Sequence, residues 1–141
     1  MTLRTIFVLL FGGLLAAGCD SGGGAPGDGL RYFRFVHTTD SSTFVAATTD
    51  STALAQVEAQ LKKPLDDRDQ FIIGPIAHGD GGHNDGYPWH FVESKWRLAG
   101  VATEVCDGRP SFVSENVDYF VDEVGRYCPW NSRVLEEIEA P

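Results

Sequence analysis

Residues 31–37 read RYFRFVH and residues 43–48 read TFVAAT, and these two stretches set the fold class. The first is rich in aromatic residues that alternate with polar ones, which is typical of a β-strand. The intervening Thr39-Asp40-Ser41-Ser42 has the side chains of a turn. The folded body is therefore predicted to begin with two successive short strands.

A helix is predicted directly after these strands. Asp50 or Ser51 can cap its N-terminus, because both side chains accept hydrogen bonds from free backbone N–H groups. Leu54, Val57 and Leu61 then fall on one helical face. Pro64 is expected to end the helix.

Further strands are predicted along the middle of the chain. Residues 70–77 read QFIIGPIA, in which Gly74-Pro75 marks a bend or an edge position. Residues 89–92 and 98–106 are also predicted to be strands. A polar loop over residues 78–87 separates the first two of these segments.

The last third of the chain is predicted to be helical. Apolar residues recur at helical spacing, and Gly125 is expected to end the helix. The stripe consists of Val113, Val117, Phe120, Val121 and Val124. Asn131 is predicted to cap a short final helix carrying Val134, Leu135 and Ile138. The sequence thus predicts an α+β domain, with an antiparallel sheet of about four to five strands packed by two helices and followed by a short C-terminal helix.

The N-terminus has the features of an export signal. Arg4 precedes an uncharged apolar run of 12 residues, 6–17, which is too short to span a bilayer comfortably. Leu15-Ala16-Ala17-Gly18-Cys19 resembles the lipobox of bacterial lipoproteins. This resemblance implies that Cys19 is acylated and becomes the mature N-terminus. The alternative is an ordinary cleaved signal peptide with a stray cysteine.

Composition divides the chain into three parts. Residues 1–18 are predicted to be the signal peptide, 19–29 a lipidated cysteine with a Gly-rich tether, and 30–141 a single domain. The chain has 11 Lys and Arg against 20 Asp and Glu, for a net charge of −9, which argues against nucleic-acid binding. We expect a bacterial cell-envelope protein that contacts a membrane through its lipid anchor and faces the periplasm or exterior.

The cysteines point to one disulfide. With Cys19 lipidated, Cys106 and Cys128 remain, and a pair in an exported domain is most simply bridged. Such a bridge would contribute on the order of 3 kcal/mol by the chain-entropy model. Two free thiols, or half of a metal site, are the alternatives.

Four stretches resemble a family of small exported bacterial domains, related to a domain in larger Dictyostelium proteins. They are GPI at 74–76 with GDGGHN at 79–84, WHF at 89–91, EVCDGRP at 104–110 and VGRYCPWNS at 124–132. The resemblance covers roughly residues 43–138. It implies membership of that family and implies no particular activity.

The loop over residues 78–90 is the main candidate for ligand or metal binding. Imidazole and carboxylate groups together suit zinc, whereas the oxygen ligands suit calcium. An EF-hand does not fit, because counting from Asp80 places neither Gly nor Glu at the required positions. In the alternative interpretation the loop is structural and its polar side chains cap turns. The candidate residues are His78, Asp80, His83, Asn84, Asp85 and His90.

Evidence for catalysis is thin, because the chain has neither a Gly-x-Ser-x-Gly elbow nor a Gly-rich phosphate loop. Tyr87, Trp89 and Trp130 are candidate contacts for a sugar or peptide. We therefore predict a binding or inhibitory module, without a cofactor, for an unidentified protein, peptide or glycan. The alternative is a metal-binding domain or a small metal-dependent hydrolase that uses loop 78–90 with zinc or calcium.

Overall fold

The computed structural model describes residues 29–141, so the predicted signal peptide, Cys19 and most of the tether lie outside the described residues. The described part holds seven strands, two α-helices, two 3-10 turns and one π-helical segment. None of its helices has the length and apolar character needed to cross a membrane. The expectation of a mixed α and β domain with antiparallel pairing is confirmed.

The largest sheet has three antiparallel strands in the order β2-β1-β7. These are β1 (Arg31–His37), β2 (Thr43–Thr48) and β7 (Ser132–Ile138). The predicted C-terminal helix is therefore wrong. Those residues pair with Tyr32–His37 of β1 instead, with a register shift between Arg34 and Phe35. This pairing satisfies backbone groups and buries Val134 against the core.

Helix α1 (Ser51–Leu61) begins as predicted, because Asp50 accepts a hydrogen bond of 2.8 Å from the Ala53 N–H. Ala53 and Val57 are fully buried, and Leu54 and Leu61 are partly buried against the same core. The helix ends at Leu61, three residues before Pro64. Its apolar face thus packs against the sheets as the spacing indicated.

The expected single sheet of four to five strands is wrong, because the middle of the chain forms two separate two-stranded sheets. Strand β3 (Phe71–Ile73) pairs with β6 (Arg97–Ala99), and β4 (Ile76–His78) pairs with β5 (Trp89–Phe91). The predicted strand 70–77 breaks at Gly74-Pro75. The predicted strand 98–106 ends at Ala99, and Glu104–Cys106 is a 3-10 turn.

Close packing at Gly74 explains the first break. A Cβ atom there would lie 2.6 Å from the Trp96 Cβ, so only glycine fits. The Gly74 N–H and carbonyl pair with the Tyr127 backbone at 3.2 and 2.9 Å. Pro75, which has no N–H to donate, follows directly. The chain therefore leaves β3 at this point and begins a new strand after Pro75.

The predicted helix over Val113–Val124 is also interrupted. It consists of α2 (Pro110–Glu115) and the π-helical segment Tyr119–Val124. Asn116 lies between them with φ −133°, and its side-chain amide donates to the Phe112 carbonyl at 2.8 Å. An Asn side chain that bonds nearby backbone competes with the helical pattern. Gly125, at φ 71°, ends the segment as expected.

The core is largely aromatic and is closed by the disulfide. Phe35 stacks on Phe44, and Phe91 stacks on Tyr127, with centroid distances of 5.4 and 5.6 Å. Cys106 and Cys128 are bridged, with their Cα atoms 5.2 Å apart, as predicted. The bridge joins the turn before α2 to the segment after Gly125.

Side chains from the rest of the fold bond to both outer strands of the three-stranded sheet. Along β2, the Ala47 carbonyl accepts from the Trp96 indole N–H at 2.8 Å and from the Ser94 N–H at 3.3 Å. Along β7, Arg68 donates to the carbonyls of Val134 and Leu135. Arg68 directly follows a second 3-10 turn, Leu65–Asp67, so these bonds fix that turn and the β5–β6 connection against the sheet.

Candidate functional site

Asn84 is the structural centre of loop 78–90. Its side chain is buried, with Oδ1 accepting from the Val45 N–H and Nδ2 donating to the Trp89 carbonyl, both at 2.8 Å. It therefore ties the loop to β2 and β5. Both ends of this amide are occupied by backbone groups.

The two acidic residues of the loop are exposed. Asp80 Oδ1 accepts from the Gly82 N–H at 2.8 Å, and the Asp80 carbonyl accepts from the Asn84 N–H at 2.9 Å. These are the bonds of a turn. Asp85 points to solvent beside Gly86, which has φ 85°.

His83 and His90 lie against each other with ring centroids 5.6 Å apart. Each presents Nδ1 to a backbone carbonyl, His83 to Gly81 at 3.0 Å and His90 to Gly79 at 2.8 Å. Since a carbonyl only accepts, Nδ1 carries the proton in both rings. His83 is buried, and its Nε2 has no partner among the described residues.

Burial sets the protonation of His83. Desolvation lowers its pKa below the ordinary 6.5, a shift partly offset by the Gly81 carbonyl and by Glu93, whose Oε1 lies 3.6 Å from Nδ1. The neighbouring His90 lowers the pKa further, and Asp80 raises it. The ring is therefore neutral at pH 7.

His78 lies apart from these residues, at the end of β4. Its Nε2 is 3.5 Å from Asp118 Oδ1, and Asp122 completes a group whose ligand atoms all lie within 4.8 Å of one another. All three side chains are exposed. Within residues 29–141 this is the group of three that could hold a metal ion. The sequence analysis did not identify Asp118 and Asp122 as candidates, although their i, i+4 spacing was a signal.

The three candidate aromatic residues have different environments. Trp89 is fully buried, and its indole N–H donates to the Ser114 hydroxyl at 3.0 Å. Tyr87 packs on Trp89 with centroids 5.0 Å apart. Trp130 lines a surface hollow, and its buried Nε1 has no partner among the described residues. Trp130 therefore presents a surface suited to ligand contact.

The hollow beside Trp130 has a volume of about 270 Å³. Its apolar wall comes from Phe71, Val101 and Trp130, and its polar wall from Asp69 and Arg133. Val101 is 86% exposed although it is a large apolar residue. This mixture of apolar wall and few polar groups is typical of a ligand pocket.

Two further hollows continue from the first. Val101 and Ala102 also line a second hollow of about 230 Å³. Arg97 and Arg126 line this second hollow and a third of about 570 Å³, which also includes Lys95. We call the row of three hollows the β3–β6 groove, because it follows these two strands.

The β3–β6 groove is basic in an acidic protein. Lys95, Arg97, Arg126 and Arg133 line it, against Asp50 and Asp69. Among the described residues, no carboxylate lies within 4.0 Å of the charged nitrogens of Lys95, Arg97 or Arg126. The sequence analysis did not identify these cations, although Lys95 and Arg97 alternate with the buried Trp96.

The carboxylates of the groove are both engaged. Asp50 caps α1, and Asp69 Oδ1 accepts from Lys63 at 2.8 Å and from Gln60 at 3.0 Å. The Lys63 ammonium lowers the pKa of Asp69 to about 2, so this side chain is ionised. Burial lowers the pKa of Arg133, which still carries its charge at pH 7.

A family model described as the BP-74 N-terminal domain matches residues 30–141. The match spans well over half of the chain. No curated protein and no solved structure matches the chain.

Proposed function

The chain belongs to the BP-74 N-terminal domain family, and on that premise we propose that it is a binding module displayed at the bacterial cell envelope. The lipobox-like sequence ending at Cys19 and the Gly-rich segment after it support a lipid anchor with a tether. The relation to exported bacterial domains and to Dictyostelium proteins is part of the same proposal. The ligand is a peptide or a glycan.

The observation that carries this proposal is the β3–β6 groove. Its second hollow shares lining residues with the first and with the third, so the three lie in a row that suits an extended ligand. Trp130 supplies a rigid aromatic surface and Val101 an exposed apolar one. Arg97 and Arg126 supply directional donors. Arg133 adds its charge, but its Nε and Nη1 already donate to backbone carbonyls of the fold. These are groups that recognise a ligand rather than groups that activate a nucleophile.

Filling the groove tests the proposal. Val101→Trp places a large side chain where two of the hollows meet, at a position exposed enough to accept it. Val105→Trp is the matched control, since Val105 is 55% exposed and lines none of the three hollows. Native envelope material is passed over each immobilised variant. We expect the unsubstituted chain and Val105→Trp to retain a bound component of this material, and Val101→Trp to lose it. Equal retention of that component by all three proteins would contradict the proposal.

A second candidate function is divalent-metal binding, which the His78–Asp118–Asp122 group favours. One imidazole and two carboxylates suit zinc, and water molecules would complete the shell. Metal analysis of protein purified without an affinity tag tests it. The expected result is one equivalent of zinc that is lost in His78→Ala and kept in Asp85→Ala. Zinc retained by His78→Ala would exclude the His78–Asp118–Asp122 group as the metal site.

A further inference from the structure

We propose that the ligand of the β3–β6 groove is an acidic polysaccharide, bound through its carboxylate groups by Lys95, Arg97 and Arg126. This inference rests on the proposed function, because it names the ligand class of the same groove. It goes further in assigning the charge and the chemistry of the ligand.

The distribution of charge is the first argument. The chain carries 20 acidic side chains against 11 basic ones. The groove nevertheless has four cations and two carboxylates. A cleft lined by one sign of charge concentrates ligands of the opposite sign. A positively charged groove in a protein of net charge −9 is thus suited to binding an anion, which the rest of the surface repels.

The clustering of cations that lack a carboxylate partner is the second argument. Outside the groove, Arg31 is bonded to Glu58 and Glu137, Arg34 to Glu136 and Lys63 to Asp69. Among the described residues Lys62 and Arg109 also lack a carboxylate within 4.0 Å, but neither lines the groove. The groove cations Lys95, Arg97 and Arg126 are exposed and have no carboxylate partner within residues 29–141. Guanidinium groups bind carboxylates with two parallel hydrogen bonds, and both Arg97 and Arg126 line the same two hollows. Apart from a long bond of 3.4 Å from Arg97 Nη1 to the Leu98 carbonyl, the guanidinium donors of these two residues have no partner among the described residues.

The remaining lining residues favour a sugar chain over an acidic peptide. Asp50 and Asp69 line the third and the first hollow, so a carboxylate stands near each end of the groove. They repel the carboxylates of either ligand, but they accept hydrogen bonds from the hydroxyl groups that a sugar chain has and an acidic peptide such as poly-glutamate lacks. Asp69 Oδ2 makes no hydrogen bond to the described residues. Trp130 provides a flat apolar surface for a sugar ring, and the three hollows in a row suit a chain rather than a single ion.

The test measures binding of three probes to the full chain by isothermal titration calorimetry. The probes are an oligogalacturonate, its neutral methyl ester and a poly-glutamate of similar charge. We expect the oligogalacturonate to bind tightest, and its affinity to fall as salt is raised. Arg97→Gln and Arg126→Gln are each expected to weaken this binding about tenfold, because each removes charge-assisted hydrogen bonds. Arg109→Gln is the matched control, since it removes the same charge from an exposed arginine outside the groove.

Each contrary result has a defined meaning. If the neutral methyl ester binds as tightly as the oligogalacturonate, the ligand is not recognised by its carboxylates. The inference of an acidic ligand is then overturned, although the groove would still bind glycans. Equal or tighter binding of poly-glutamate would overturn the polysaccharide in favour of a peptide. Binding that Arg109→Gln weakens as much as Arg97→Gln, or no binding of the oligogalacturonate, would overturn the inference altogether. The proposed function is then decided separately by the Val101→Trp and Val105→Trp comparison.

Discussion

Replacing Asn84 decides whether loop 78–90 is structural or holds a cation. In Asn84→Ala the Trp89 carbonyl and the Val45 N–H lose the partners that now lie 2.8 Å away. A buried polar group left without a partner costs about 1–3 kcal/mol. The Trp89 carbonyl is the more costly of the two, because Trp89 is fully buried and Val45 is half-buried. We expect a total loss of about 2–4 kcal/mol in the free energy of unfolding.

Asn84→Asp separates the two interpretations more sharply. The new carboxylate still accepts from Val45 but has no donor for the Trp89 carbonyl, and it buries a charge. If Asn84 is structural, Asn84→Asp should lower the free energy of unfolding at pH 7 by more than Asn84→Ala does. If Asn84 is a calcium ligand, Asn84→Asp should lower it by less, because a carboxylate binds calcium better than an amide does. The control is Asp85→Asn, at an exposed position where the expected change is within about 0.5 kcal/mol.

The assay is thermal and urea unfolding with and without calcium. For a domain of this size, about 1 kcal/mol corresponds to roughly 4 °C in Tm, so Asn84→Ala is expected to melt roughly 8–16 °C lower. An unchanged Tm in Asn84→Ala would refute the hydrogen-bond argument. A Tm of Asn84→Asp that rises on adding calcium would show that the loop is a cation site.

Reduction of Cys106–Cys128 is expected to lower stability by on the order of 3 kcal/mol, seen as a lower Tm in reductant; two titratable thiols in the native protein would contradict this. The lowered pKa of the buried His83 makes the unfolded state bind the proton more readily, so stability present above about pH 6.5 is lost as the pH falls below it. Unfolding in urea at about pH 7.5 and at about pH 5.5 measures this effect. The free energy of unfolding should fall less between the two pH values in His83→Gln than in the unsubstituted chain, and an equal fall would exclude His83 as the cause. Cys19→Ser is expected to leave the protein soluble, secreted or as an uncleaved precursor in cell fractionation, and a mature membrane-bound form would refute the lipid anchor.

The parts of the fold that were predictable are those governed by local patterns. The alternation in β1 and the Asp50 cap of α1 each depend on neighbouring residues, and both are confirmed. The C-terminal segment was mispredicted because Val134, Leu135 and Ile138 fit a helical face as well as a strand. What decides between them is the free edge of β1, which begins about 100 residues earlier in the chain.

The candidate site was less predictable for the same physical reason. His78 meets Asp118 and Asp122 only because β4 packs against the π-helical segment. Arg97 and Arg126 line the same hollows, although they are far apart in the chain, and the bridge between Gly74 and Tyr127 brings the segment of Arg126 next to the end of β3. Nothing in the spacing of these residues indicates such contacts. The disulfide was predictable because assigning Cys19 to the lipobox-like sequence left one pair of cysteines, Cys106 and Cys128.

The bonds to β2 and β7 have a consequence for self-association. An open strand edge is a template on which another copy can add a strand, and sheets of three strands have two such edges. Here Asn84 and Trp96 occupy backbone groups along β2, and Arg68 occupies carbonyls along β7. An incoming strand would have to displace these side chains before it could pair. The three-stranded sheet is thereby protected against the addition of a strand from another copy at either of its edges.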